Sequence, residues 1–66
     1  MDRYERILTL HRLLSSARYP LPLARLMGEL NCSRATLYRD VGFLRDALGA
    51  PIESAGSVQE AAFRYS

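Results

Sequence analysis

From Tyr4 to Leu14, apolar and boundary side chains return every three or four residues, at Tyr4, Ile7, Leu8, His11 and Leu14, which is the spacing of one helix face. Asp2 stands just ahead of this run and Glu5 three residues further on, a variant of the capping box that satisfies free N–H groups at a helix start. The pattern predicts a first helix over residues 3–16, with Arg3, Arg6 and Arg12 on its other side. Leu10 and Leu13 widen the apolar stripe beyond the need of a lone surface helix, so something must cover both of its flanks. Two prolines then break the rhythm: Pro20 pushes Tyr19 toward an extended conformation, and Pro22 suits the first turn of a new helix. Leu23, Leu26, Met27 and Leu30 give that second helix its inner face over residues 22–30, leaving Arg25 and Glu29 to solvent as a pair in the weaker order.

Asn31 and Cys32 leave room for only a short connection, and Ser33 sits where an N-cap is wanted. Leu37, Val41, Leu44 and Leu48 share one face of a third helix over residues 34–48, and Gly49 followed by Pro51 stops it. Beyond Pro51 the period changes. Ile52, a turn-like run from Ser54 to Ser57, and the alternation of Ala62, Phe63, Arg64 and Tyr65 predict a β-hairpin over residues 51–65. The expected fold class is mainly α, a three-helix winged helix-turn-helix with a short C-terminal hairpin wing, forming one domain over residues 1–66.

Composition narrows the function. A chain of 66 residues buries only about 60% of its unfolded surface, too little scaffold for the pocket of a typical enzyme, so a binding module is favoured. A serine, the lone His11 and the lone Cys32, scattered over three elements, form no plausible triad. One cysteine excludes an internal disulfide, and neither a metal site nor a cofactor site is expected. No apolar run approaches the roughly 20 residues of a membrane span, and Met1 is followed by Asp2, Arg3, Tyr4 and Glu5 rather than by an apolar signal; a soluble cytoplasmic protein is expected. The net charge of +2 is modest, so an argument for nucleic acid depends on where the nine basic residues, all arginine, are placed.

Their placement on the third helix is informative. With Leu37, Val41, Leu44 and Leu48 turned inward, Ala35, Arg39 and Gly42 point away, flanked by Thr36 and Tyr38. In a helix-turn-helix the amino-terminal part of the second helix of the motif meets base edges, and here it holds Ser33, Arg34, Ala35, Thr36, Tyr38 and Arg39. Arginine grips guanine O6 and N7, threonine meets phosphate or base, tyrosine hydroxyl meets phosphate, and alanine lets a helix sit close to DNA. These six are the candidate site for double-stranded DNA.

The run Ser33-Arg34-Ala35-Thr36-Leu37-Tyr38-Arg39-Asp40-Val41, with Leu44, Leu48 and Gly49-Ala50-Pro51-Ile52, resembles the recognition segment of WYL-domain transcriptional regulators, and Arg3-Tyr4-Glu5-Arg6-Ile7 resembles the start of that family. DeoR-type repressors share the serine-threonine-arginine-aspartate pattern more loosely. The resemblance implies DNA contact by Thr36, Tyr38 and Arg39, a wing from Pro51 to Tyr65, a homodimeric bacterial regulator, and a ligand-sensing domain following the segment seen here. The chain departs from the family at the wing tip, where Ser57-Val58-Gln59-Glu60-Ala61 replaces a glycine-rich, basic stretch.

Other conspicuous residues have structural readings. His11, on the apolar stripe of the first helix, is expected to be a packing or boundary residue and not a ligand, Cys32 to pack in the tight turn, and Tyr4, Tyr19, Phe43 and Tyr65 to pack in the core and hinges. Arg3, Arg6 and Arg12 form either a solvated face or an approach to the DNA backbone. Asp40, which would repel phosphate from the groove side, is expected to turn sideways and pair with an arginine. The competing function is a winged-helix module for protein–protein interaction, which would show an apolar or acidic outer face on the third helix.

Overall fold

The computed structural model describes residues 1–57 and 59–66. Helix α1 spans Arg3–Ser16, and the Asp2 carboxylate caps it by accepting the Glu5 N–H at 2.8 Å. Its buried face is Ile7, Leu10 and Leu14, rotated from the expected one: Tyr4 is 84% exposed, Leu8 47%, and His11 is exposed as well. The sequence carries two overlapping stripes, and only one can face the interior. The aliphatic stripe has no polar atoms to leave unpaired, whereas the hydroxyl of Tyr4 and the imidazole of His11 keep their hydrogen bonds at the surface. Arg6 is correspondingly turned toward the protein, not away from it.

Strand β1, Leu21–Pro22, precedes helix α2, Leu23–Leu30. The helix therefore begins one residue later than expected, because Pro22 is its extended N-cap and a member of the strand. Leu23, Leu26 and Leu30 are buried; Arg25 and Glu29 are exposed as expected but lie beyond ion-pair distance of each other. Asn31 ends α2 in the left-handed region at φ 49°, a conformation asparagine tolerates, and the Cys32 N–H donates to the Met27 carbonyl at 3.1 Å.

Helix α3 spans Arg34–Ala47, with the Ser33 hydroxyl accepting the Thr36 N–H at 3.2 Å. Leu37, Val41 and Leu44 are buried as expected, together with Asp40, but Leu48 is 62% exposed. Leu48 is the C-cap, and Gly49 at φ 68° turns the chain toward the sheet while the Ala50 N–H closes on the Leu44 carbonyl at 3.0 Å, so the Leu48 side chain is carried off the inner face. Replacing Leu44 by alanine is expected to cost about 2–5 kcal/mol, and replacing Leu48 by alanine no more than about 0.5 kcal/mol. Urea denaturation of the two variants compares them directly; similar losses would mean that Leu48 belongs to the core after all.

Strands β2, Ile52–Gly56, and β3, Ala61–Tyr65, form the expected hairpin, but the sheet has three strands in the order β1-β3-β2, all antiparallel. Phe63 is paired on one side with Leu21 and on the other with Ser54. At Gly56, φ is 83° and a Cβ would collide with the Glu60 carbonyl oxygen, so the turn into the wing tip requires glycine. Of the expected tip, Val58 lies outside the described residues; beside it the Glu60 N–H donates to the Ser57 hydroxyl at 3.0 Å.

Leu10, Leu26, Leu30 and Leu37 are the innermost side chains, and Leu21 and Phe63 seal the sheet onto them. Tyr4 and Tyr19 take no part in this packing, contrary to expectation, since both are largely exposed. Phe43 is half-buried beneath the Arg3 guanidinium, 4.7 Å from the ring centre. Three helices with a small antiparallel sheet at one edge make this a winged helix.

Candidate nucleic-acid interface

Two caps set the geometry of the site. Left-handed Asn31 and the Ser33 cap confine the α2–α3 connection to three residues, and the buried leucines on both helices fix the angle at which α3 leaves the turn. The first turn of α3 contains no acidic residue and carries the partial positive charge of a helix amino terminus.

The six candidate residues do not all stand alike. Arg34, Ala35 and Arg39 are exposed, and among the described residues neither arginine has an ion-pair partner. Ser33 is exposed, but its hydroxyl is occupied: it accepts from the Thr36 N–H and donates to Thr36 Oγ1 at 3.1 Å. Thr36 is half-buried, with its oxygen turned back onto the cap. Tyr38 is partly exposed and its ring meets Phe63 edge-on, with centroids 5.9 Å apart at 83°. Gly42, expected to point outward, is half-buried.

Asp40 is not turned sideways but buried, only 1% exposed, and its partner is Arg6 from α1. Arg6 Nε donates to Oδ2 and Nη2 donates to Oδ1 at 3.2 Å, a two-pronged contact that takes the carboxylate away from the outer face of α3. Donating to the Asp40 carboxylate raises the Arg6 guanidinium above its already high pKa. Cys32 lies near this pair; burial, reinforced by the Asp40 charge, pushes its thiol up, so it packs as a protonated small side chain. The remaining acids near basic groups sit elsewhere: Asp46 beside Arg45 at 3.2 Å in the last turn of α3, and Glu53 opposite Arg64 at 3.9 Å in the hairpin. Sequence reasoning missed Phe63 as the support of Tyr38; the alternation from Ala62 to Tyr65 marked it as strand, but a two-residue β1 carries no period to reveal the sheet it anchors.

A family model described as an HTH domain matches residues 6–58. The chain belongs to this family of helix-turn-helix domains. No curated protein and no solved structure matches it. The match runs from the paired Arg6 to two residues past β2, so it contains α2, the turn and α3 entire. The HTH domain is thus a DNA-binding module by family, with Arg34, Ala35 and Arg39 on the open side of its second motif helix. No helix among the described residues is long and apolar enough to cross a membrane.

Proposed function

We propose that this HTH domain reads the sequence of duplex DNA as the head of a cytoplasmic transcription regulator, with α3 in the major groove, as a homodimer and without catalytic activity. One observation carries the reading: the amino-terminal half of α3 presents two exposed arginines, Arg34 and Arg39, which have no ion-pair partner among the described residues, while its one acidic residue, Asp40, is buried against Arg6. A carboxylate on that face would repel phosphate, and its withdrawal suits a helix that enters a groove lined with negative charge. The cap commits Ser33 and Thr36 to each other, so base reading falls on Arg34 and Arg39, with Ala35 permitting close approach and Tyr38, braced by Phe63, reaching a phosphate. The resemblance of Ser33 to Val41 to WYL-domain regulators supports a partner domain that senses a ligand.

The wing plays a smaller part in this reading. Arg64 is engaged with Glu53, and Glu60 stands at the tip, so the hairpin offers little to a minor groove. With a net charge of only +2, the isolated domain is expected to bind weakly and with strong salt dependence. Selection of duplexes from a random pool, followed by titration of the selected site, tests the proposal. Arg39→Ala should weaken binding to the selected site by about 10- to 100-fold, leave binding to unrelated duplex nearly unchanged, and leave the thermal midpoint unaltered. If the parent shows no preference among duplexes, or Arg39→Ala binds the selected site as the parent does, α3 is not the reader and the module is better read as a protein-binding one.

A further inference from the structure

The outer face of α1 is an apolar surface that the fold leaves open. Tyr4, Leu8, His11 and Ser15 follow one another at four, three and four residues, the spacing of a helix–helix seam, and all four are exposed. Beside them a groove of about 470 Å³ runs between α1 and the carboxyl end of α3, with Leu48 on its far wall. Tyr65 forms its floor, held by a 2.8 Å hydrogen bond between its hydroxyl and His11 Nδ1. Leu48, Leu8 and Tyr4 are thus exposed large apolar side chains gathered on one side of the molecule, more than a scatter of single residues explains.

The charges flanking the stripe specify what covers it. Glu5 and Arg12 stand on the same edge of the seam, seven residues apart, and among the described residues neither has an ion-pair partner. We infer that this face pairs with a second copy of the chain, α1 against α1 in antiparallel orientation about a two-fold axis near Leu8. In that arrangement Leu8 meets its own counterpart, Glu5 faces Arg12 of the second copy and Arg12 faces its Glu5, giving two identical ion pairs from one surface. A parallel pairing sets the same edge against the edge that holds Ile7 and Leu14, which are buried in the core and supply no charge. The groove lies at the carboxyl end of α3, about 20 Å along the helix from Arg34, so the pairing leaves Arg34 and Arg39 open in both copies.

This surface rests on the dimeric part of the function proposed above. Sedimentation equilibrium of the 66-residue chain tests it with Glu5→Arg, Arg12→Glu, the double swap, and Leu8→Glu. The parent should self-associate. Each single swap, which sets like charges against each other twice, should raise the dimer dissociation constant by about tenfold, and the double swap should return it to within about threefold of the parent. Leu8→Glu should leave a folded monomer by circular dichroism. A parent that stays monomeric to about 1 mM, or association indifferent to the charge swaps, overturns the proposed surface. Titration of a single half-site keeps the two proposals apart: Leu8→Glu should bind it as the parent does, and a parent that fails to bind any half-site speaks against DNA reading, whatever the sedimentation shows.

Discussion

Arg6→Ala is expected to leave the domain unfolded or nearly so at neutral pH. Its guanidinium is the hydrogen-bonding partner of a carboxylate that is 1% exposed, and removing one member of a buried pair typically costs about 3–5 kcal/mol because the other charge is left without water or counter-charge. A domain of 66 residues has roughly 3–10 kcal/mol in all. The two members should not be equivalent. Arg6 keeps 18% of its side chain exposed, so Asp40→Asn leaves a cation that still reaches solvent and should cost less than Arg6→Ala. Replacing both at once, Arg6→Met with Asp40→Leu, should recover most of the loss, since an apolar pair of similar volume needs no desolvation of charge. Guanidinium chloride denaturation of the parent, Arg6→Ala, Asp40→Asn and the Arg6→Met, Asp40→Leu double variant ranks these costs directly. If Arg6→Ala alone melts like the parent, the ion pair contributes nothing and the orientation of α3 is held by the leucines alone.

The Arg6 side of this pair has a simple pH dependence. Asp40 raises the folded-state pKa of Arg6 above its unfolded value, so that contribution is fully present below the unfolded value and is lost only as pH rises through the folded one, in strong base.

Local signals were legible where they act over one turn. Asp2 and Ser33 cap the helices they were expected to cap, and the outward set Arg34, Ala35 and Arg39 follows from the burial of Leu37, Val41 and Leu44 on the opposite side. What escaped depends on contacts across the chain. The roll of α1 was ambiguous because Tyr4–Leu8–His11 and Ile7–Leu10–Leu14 are both periodic, and only packing against α2 and α3 chooses between them. The partner of Asp40 lies 34 residues away, where no local pattern points to it. Strand β1 is two residues long and ends on a proline, so it exists only because Leu21 and Pro22 find Phe63 and Ala62 beside them. Candidate status for Ser33 and Thr36 came from residue type, while their hydroxyls turn out to be spent on each other.

Phe63→Ala should be the most costly truncation in the sheet, by about 3–5 kcal/mol, and it should also weaken DNA binding in whatever fraction remains folded. The ring is 3% exposed at the centre of the middle strand, where Leu21 and Ser54 pair with it from either side. Removing it opens a cavity between the sheet and the leucines of α2 and α3, and leaves the two-residue β1 with Leu21 as its one core side chain. The second effect runs through Tyr38, which loses the edge-on partner that fixes its ring beside the amino-terminal half of α3. Phe63→Leu separates the two: it fills most of the volume and should cost no more than about 1.5 kcal/mol, but it offers Tyr38 no aromatic edge. The expected order of stability is parent, Phe63→Leu, Phe63→Ala, with amide exchange at Leu21 accelerating in the same order. Under conditions where it is fully folded, Phe63→Leu should bind a selected duplex a few-fold more weakly than the parent, and so should Tyr38→Ala. Full-strength binding by Phe63→Leu together with weakened binding by Tyr38→Ala would show that Tyr38 is positioned without help from the wing.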